Sequence, residues 1–437
     1  MSKRLLAAAA GALLATAPAA AQTVAIVGGT VETMAGPAIP NGTVLIRDGR
    51  IVAVGANVAV PAGARTIDAR GKTVTPGFFD SSTQIGLEEV GAVDETNDHR
   101  LNKDPDHVAA AFDVRDGLNP NSIVIPVTRI AGVTTAVSRP DGGLISGQSV
   151  VVDLTGMNVD SMLIRGAVAM YASLAEGSRG EAGGSRSGQT MLLRQVLDDA
   201  RTYARNREAY NRGQFRQLAA SRLDLEALQP VLAGRMPLVV EVNRASDIRT
   251  TLAIAKEFGI RVVIGGGAEA WMVADELARA NVPVVVKVLQ DLPETFESLG
   301  ERYDNAAILR RAGVKVAITA GDTHNARNVK QEAGNAVANG LSHDDALRAI
   351  TLNPAQIWGV ADRLGSLEPG KLANVVVWGG DPLELLTPVE HVLIHGREVP
   401  LVSRETMLRD RYLHLNDETR AYPSAAARPT PVQTPQQ

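Results

Sequence analysis

The side chains best suited to acid–base chemistry are Asp322 and His324, which follow an apolar run at 315–319. A carboxylate and an imidazole beside one cavity could take a proton from water and pass it on. An aspartate in this position can equally hold the turn that follows, at 325–327. Both interpretations stay open from the residues alone, and the catalytic hypothesis assigns Asp322, with His324, as the base.

A second polar group lies at the end of the apolar run LVVEV, where Glu241 is followed closely by Asn243 and Arg244. Buried glutamate is rare unless it is paired. Glu241 is therefore expected either to face a pocket or to pair with an arginine such as Arg244. We favour the pocket, and we predict that all three side chains bind substrate.

The third candidate stretch, at 75–86, reads TPGFFDSSTQIG. A Pro-Gly turn and a short apolar run end in Asp80, and small or polar residues follow, which is typical of a buried strand opening into a cavity. Alternation along a strand places Ser82 and Gln84 on the same side. We predict that both bind substrate through hydrogen bonds; the alternative is that they fill a cavity without a function.

Apolar strand-like runs alternate with amphipathic helices through the middle of the chain, as in a parallel barrel. Seven barrel strands can be placed, and the eighth is expected between 162 and 173. Short β-branched runs near both chain ends predict one small β-domain built from the two termini, and Asp48-Gly49 predicts a hairpin turn between two of the first runs. The expected fold is α/β: a (β/α)8 TIM-like barrel with a small β-sandwich domain from both chain ends. A mobile loop at 177–188 and a long helix at 189–217 are also expected.

The stretch at 75–86 resembles the first barrel strand of the amidohydrolase superfamily, in which Pro-Gly, a few apolar residues and Asp precede His-x-His. The segment 305–382, which contains GSLEPGKLANVVVW, is similar to the imidazolonepropionase-like branch of that superfamily, as is AGVTT at 131–135. The resemblance implies a metal-dependent hydrolase that cleaves a C–N bond in a small amide or peptide-like substrate.

The resemblance also implies where zinc would be held. The positions of the family's histidine ligands carry other residues here: Ser82, Gln84, Glu241 or Asn243, and Gly266. Only Asp322, at the end of the eighth strand, matches, and no bridging lysine or glutamate is evident on the fourth. Because zinc needs three or four protein ligands, we predict no metal and no other cofactor, although the family would carry zinc.

Composition narrows the class of protein. The chain has 437 residues, 45% hydrophobic and 21% charged, as in a large globular protein. Its net charge of −4 and its 3% aromatic content argue against nucleic acid as a partner. There is no cysteine, hence no disulfide framework. His99 and His107 flank a charged loop and are expected at the surface.

The first residues are typical of a targeting segment: Lys3 and Arg4 precede an apolar run that ends in small residues at Ala21. The run is too short to span a bilayer comfortably, so we expect cleavage near Ala21 and a periplasmic or secreted protein without a membrane span. The predicted divisions are a signal peptide (1–21), the first part of the β-domain (22–74), the barrel (75–364), the second part (365–403), and a C-terminal helix with a disordered tail (404–437).

Two functions remain open. The first is an exported hydrolase of the C–N bond in a small substrate, working without the usual metal. The second is a catalytically inactive binding or partner subunit of a metal-bearing relative. A small-molecule substrate or ligand is expected in both, and the chain would form a homo-oligomer, or a hetero-oligomer with a related amidohydrolase.

Overall fold

The computed structural model describes residues 23–101, 107–290 and 295–413, so the predicted signal peptide at 1–21 and the tail beyond 413 lie outside it. The strands, in chain order, are β1 (Thr23–Val31), β2 (Ile39–Arg47), β3 (Arg50–Gly55), β4 (Arg65–Asp68), β5 (Thr73–Pro76), β6 (Phe78–Thr83), β7 (Val133–Ser138), β8 (Ile145–Asp153), β9 (Leu163–Ser173), β10 (Leu238–Val242), β11 (Val262–Gly266), β12 (Val284–Val286), β13 (Val316–Ile318), β14 (Val375–Trp378), β15 (Val389–Ile394) and β16 (Arg397–Glu398).

The helices are α1 (Val124–Arg129), α2 (Val159–Met162), α3 (Arg186–Arg205), α4 (Arg207–Asn211), α5 (Arg222–Ala227), α6 (Gln229–Leu232), α7 (Ala245–Phe258), α8 (Ala274–Arg279), α9 (Asn305–Arg311), α10 (Val329–Ala338), α11 (His343–Ala349), α12 (Leu352–Ile357) and α13 (Arg404–Leu413). Within the described part of the chain, no helix has both the length and the apolar character needed to cross a bilayer.

The strands from the two chain ends form one composite sheet, in the order β16-β15-β14-β5-β1-β2-β3, with β4 beside β1. The two ends meet where β14 runs antiparallel to β5. Asp48 and Gly49, both with positive φ, make the predicted hairpin turn between β2 and β3. Buried side chains of β1 to β3, β14 and β15 share one core, so the sheet folds over in the manner of a sandwich.

The second sheet is the barrel, in which β6 to β13 lie side by side in chain order. The predicted eight-stranded barrel is confirmed, and β9 is the strand expected between 162 and 173. One feature differs from an all-parallel barrel: β8 runs antiparallel to both β7 and β9. Only residues 139–144 connect β7 to β8. A parallel crossover needs a dozen or more residues, so this short connection permits only an antiparallel return.

Buried Asp80 holds the seam between β6 and β13, the first and last barrel strands. Its carboxylate accepts hydrogen bonds from the Thr319 hydroxyl and from the backbone N–H of Ala320, the latter at 3.1 Å. It also accepts one from the N–H of Ser82. The Thr319 hydroxyl is placed 2.9 Å from the carbonyl oxygen of Ser82 as well. The aspartate of the 75–86 stretch therefore closes the barrel and does not face the cavity.

Burial raises the pKa of Asp80 to about 7, although the three donors act in the opposite direction. From about pH 4 to about pH 7 the folded protein keeps this proton and the unfolded chain has lost it, so stability falls as pH rises through that window. Asp80→Asn cannot titrate, and its urea midpoint should decline less between those pH values than that of the wild type. Parallel curves for the two proteins would show that Asp80 is already ionised when folded.

The predicted loop at 177–188 and helix at 189–217 differ from the structure. A 3-10 helix spans Glu176–Ala182, and α3 already begins at Arg186. The earlier start has a local cause, because the Ser185 hydroxyl accepts a hydrogen bond from the N–H of Gly188 and caps the helix. Helical structure ends at Asn211, since the chain then turns through Gly213, which has positive φ.

A buried polar network joins the barrel to the composite sheet. Asp153, fully buried at the end of β8, accepts a hydrogen bond from the Thr135 hydroxyl at 2.6 Å and lies 2.7 Å from His395 Nε2. The backbone N–H of His395 donates to Asn374 Oδ1 at 3.0 Å. His395 has a φ of 49°, a left-handed conformation that a side chain other than glycine adopts only when its surroundings hold it there.

Candidate active site at the mouth of the barrel

A cavity of about 140 Å³ opens at the C-terminal ends of the barrel strands, where active sites of this fold form. Its polar lining includes Ser82, Arg139, Tyr171, Glu241, Lys287 and Gln290. A larger cavity of about 640 Å³ lies at the opposite end, around Pro237, Pro283 and Lys315. Because those residues stand at the starts of strands, we assign the chemistry to the smaller cavity.

Arg139, the first residue after β7, supplies a fixed positive charge to the cavity, and its side chain is only 14% exposed. Nε donates to Ser82 Oγ at 2.7 Å, and Nη1 donates to the carbonyl oxygen of Pro140 at 3.2 Å. The guanidinium also lies over the Tyr171 ring, 5.6 Å from its centroid. Burial alone would lower the pKa of Arg139, but nearby carboxylates, Asp141 and Glu241 foremost, raise it, so the group stays charged.

Glu241 faces the cavity from β10 and does not pair with Arg244. Its carboxylate makes no hydrogen bond to any described residue, and it keeps partial access to solvent. Burial raises the pKa of Glu241, whereas the charge of Arg139 lowers it. The neighbouring strand makes room for this side chain, because a Cβ on Gly265 would lie 2.5 Å from Glu241 Oε1. The prediction that Glu241 faces a pocket agrees with this placement.

Two further groups complete the polar lining. Tyr171, on β9, is 2% exposed, and its hydroxyl makes no hydrogen bond of normal geometry to a described residue. Burial raises the pKa of Tyr171; the charge of Arg139 and the adjacent Ser82 hydroxyl act in the opposite direction. Lys287 follows β12, and its Nζ lies 3.8 Å from Asp322 Oδ2. Both residues therefore have donors left for a ligand.

The structure does not join Asp322 to His324. The side chain of Asp322 is 51% exposed, and its Oδ2 accepts a hydrogen bond from Asn325 Nδ2 at 3.1 Å. Its carbonyl oxygen accepts from the backbone N–H of Asn325, also at 3.1 Å. His324 is exposed and makes no hydrogen bond to Asp322. Asp322 thus holds the turn that follows, as the alternative interpretation expects, and its catalytic role with His324 stays a prediction.

Three of the predicted binding residues lie outside the cavity lining. Gln84 is buried, and its Oε1 accepts from the Thr323 hydroxyl at 3.3 Å. Asn243 Nδ2 donates to Glu297 at 2.8 Å. Arg244 is half-exposed, directly precedes α7 and forms an ion pair with Asp247 in the first turn of that helix. Of the five predicted binding residues, only Ser82 and Glu241 line the cavity.

The residues at the family's ligand positions do not fit a zinc ion. The Ser82 hydroxyl is already hydrogen-bonded to a guanidinium, the Gln84 amide oxygen to Thr323, and Gly266 has no side chain. Within residues 23–101, 107–290 and 295–413, no three His, Cys, Asp or Glu side chains are grouped so that they could hold a metal. A hydroxyl and a neutral amide are poor substitutes for imidazoles as zinc ligands. The loss of the metal nevertheless stays a prediction until metal content is measured.

The prediction that His99 lies at the surface was wrong. His99 is 4% exposed, its Nε2 lies 3.1 Å from a Glu88 carboxylate oxygen, and its carbonyl oxygen accepts from the N–H of Asp141. Burial lowers its pKa, although Asp141 and Glu88 act in the opposite direction. The hydrogen bond from Asp141 places His99 against the turn that carries Arg139, where its side chain is shielded from solvent. His107 is exposed, as expected.

Comparison with known proteins identifies the class to which this barrel and mouth belong. The Amidohydrolase family matches residues 241–399. The crystal structure of an amidohydrolase from Thermotoga maritima is 30% identical, with a TM-score of 0.78, over 86% of this chain and 99% of that one. The chain therefore belongs to the amidohydrolase family.

Two curated relatives refine this placement. An imidazolonepropionase from Mesorhizobium japonicum is 24% identical over 82% of this chain and 91% of its own length, which confirms the predicted imidazolonepropionase-like branch. Amidohydrolase tasK from Hapsidospora irregularis is 28% identical over 73% of this chain. That match covers only 37% of tasK, so this chain spans little more than a third of that relative.

Proposed function

We propose that this chain is an exported amidohydrolase-family protein that hydrolyses the C–N bond of a small amide or peptide-like substrate without a bound metal ion. The observation that carries the proposal is the presence of Glu241 and Arg139 in the lining of one cavity, where the charge of each acts on the pKa of the other. A carboxylate whose pKa is raised by burial is suited to take a proton from water. The Arg139 guanidinium provides a positive charge in a cavity whose residues are poor ligands for zinc.

In this mechanism Glu241 accepts a proton from the attacking water, whose oxygen bonds to the substrate carbonyl carbon. The Lys287 ammonium and the Tyr171 hydroxyl, which have free donors, stabilise the resulting oxyanion. Protonated Glu241 then gives the proton to the leaving nitrogen as the C–N bond breaks, and an acid and an amine are released. The proton taken from water is thereby returned within one turnover.

The magnitudes predict a slow enzyme. General base catalysis contributes about 10²- to 10⁴-fold, and an oxyanion donor about 10²- to 10³-fold. A metal ion would in addition lower the pKa of its bound water to about 7, and none of the described residues at this mouth supplies that effect. Turnover well below that of metal-dependent relatives is therefore expected.

We assign Asp322 to the positioning of Lys287 and not to proton transfer. Asp322→Asn should lower kcat/KM by no more than about tenfold, because it weakens a half-exposed ion pair worth at most about 1 kcal/mol. The measurement is steady-state hydrolysis of the same amide by the wild type and the variant. A loss as large as that expected for Glu241→Gln would return the role of base to Asp322.

The proposed function is tested by assaying mature protein, residues 22–437, on a panel of small amides with and without a strong chelator. We expect hydrolysis that the chelator leaves unchanged. Binding without turnover would instead favour the inactive-subunit hypothesis, most of all if the chain co-purifies with a metal-bearing relative. Fractionation of the native host, with sequencing of the mature N-terminus, tests export and cleavage near Ala21.

A further inference from the structure

Hydrogen-bond donors are in excess at the mouth of the barrel. A guanidinium has five N–H donors, and Arg139 uses one on Ser82 and one on the carbonyl oxygen of Pro140. The Tyr171 hydroxyl is buried without a partner among the described residues, and Lys287 contacts Asp322 only at 3.8 Å. Buried donors left unpaired are unfavourable, so the cavity is suited to a ligand group that only accepts.

The position of the guanidinium matters as much as its charge. Ser82 occupies the first histidine position of the family's metal motif, and its hydroxyl oxygen accepts from Arg139 Nε. The side chain is held on a second side by Pro140 and on a third by the ring of Tyr171. A cation that belongs to the chain therefore stands beside the residue that would have bound the metal. Asp141 Oδ1 lies 3.9 Å from Arg139 Nη1, too far for a hydrogen bond, so the guanidinium keeps N–H donors for a ligand.

We propose that Arg139 has replaced the family's metal ion as the group that binds the ligand, and that the ligand carries a carboxylate. The inference rests on the proposed function and names its substrate class: an amide whose amine portion is an amino acid with a free carboxylate. The carboxylate binds the free N–H groups of Arg139. The scissile amide then lies between Glu241 and Lys287.

A carboxylate fits better than the other acceptors. Its two oxygens match the planar fork of a guanidinium, whereas a neutral carbonyl would satisfy one donor and leave the others unpaired. A phosphate dianion would bring a second negative charge towards three carboxylates, Glu241, Asp322 and Asp141, which are balanced by only two described cations, Arg139 and Lys287. The cavity of about 140 Å³ also limits the group that enters to a small one.

The test compares two ligands that differ only in this group, acetylglycine and its primary amide, by calorimetry on the mature protein. Measurements with Glu241→Gln prevent turnover during the titration. We expect the carboxylate to bind more tightly by about tenfold or more, since it adds a bidentate, charge-assisted contact. Equal affinities for the two ligands would overturn the proposal.

Variants identify the residue that causes the preference for a carboxylate ligand. Arg139→Gln should abolish it, and Arg139→Lys should restore only part of it, because an ammonium keeps the charge and lacks the fork. Arg249→Gln, an exposed arginine paired with Glu276 on the outside of the barrel, is the matched control and should leave the preference unchanged. A folded Arg139→Gln protein that still prefers the carboxylate contradicts the assignment. If Arg139→Gln does not fold, the proposal is tested by the affinities of acetylglycine and its primary amide for the protein that retains Arg139.

The inference and the proposed function fail in different ways. A preference for the carboxylate without turnover of any amide would retain the role of Arg139 and refute the hydrolase. Turnover of neutral and acidic amides with equal kcat/KM would retain the hydrolase and refute the carboxylate site.

Discussion

Replacement of Glu241 by glutamine is expected to lower kcat/KM for the amide substrate by about 10²- to 10⁴-fold, the usual contribution of a general base. The substitution keeps the size and shape of the side chain, so the space that Gly265 leaves for it stays filled. Glutamine cannot accept the proton of water at neutral pH. The measurement is steady-state hydrolysis, with thermal unfolding as the check that the variant is folded.

The pH profile distinguishes a base from a side chain that only fills the cavity. The pKa of Glu241 is raised above its ordinary value of 4.5, and only the ionised form is a base. The kcat/KM of the wild type should therefore rise with pH through that raised pKa and then level off, and the residual activity of Glu241→Gln should lack this step. Glu257→Gln, an exposed carboxylate on α7, is the matched control. An unchanged rate in Glu241→Gln would remove Glu241 from the mechanism.

Substitution of His395 by alanine is expected to destabilise the fold by about 2 kcal/mol, within the range for leaving a buried polar group without a hydrogen-bond partner. The full upper end of that range is not expected because the His395 side chain is 31% exposed, whereas Asp153 is fully buried. Without the imidazole, Thr135 remains as the side-chain partner of the Asp153 carboxylate. Urea unfolding of the mature protein measures the difference.

A double-mutant cycle separates this effect from lost packing. His395→Ala leaves the buried Asp153 carboxylate without its imidazole partner, and Asp153→Asn removes that carboxylate. The double variant should therefore be more stable than the sum of the two single effects implies. His391→Ala is the matched control, because this imidazole also pairs with a carboxylate, that of Glu398. Both side chains are at least a quarter exposed, so the expected loss of stability is less than about 1 kcal/mol. Equal losses of unfolding free energy for His391→Ala and His395→Ala would show that the buried network adds nothing to stability.

The architecture followed from local signals that act over a few residues. Pro76-Gly77 and the run ending in Asp80 mark a barrel strand, and Asp48-Gly49 marks a hairpin; both lie as predicted. The direction of β8 could have been predicted too, because residues 139–144 are too few for a crossover. The start of α3 could have been predicted from Ser185 as a helix cap, but the glycine content around it indicated a loop.

The candidate site was harder to predict because its members meet only through the register of the barrel. Glu241 stands out in sequence as a charge inside an apolar run. Arg139 has no such signal: it follows an apolar strand, and only the pairing of β6 with β7 brings it to Ser82. Tyr171 and Lys287 read as ordinary strand-end residues. Asp322 and His324 were close in sequence, yet the turn at Asn325 directs them to separate surroundings.

Metal content of the mature protein is the most direct test of the proposal that Arg139, hydrogen-bonded to Ser82, has replaced the metal ion that the family resemblance implies. The protein would be purified without chelators, incubated with excess zinc, desalted and analysed by inductively coupled plasma mass spectrometry. We predict zinc far below one ion per chain, and no change in thermal stability on zinc addition. A stoichiometric zinc ion that survives desalting and raises the unfolding temperature would contradict the account.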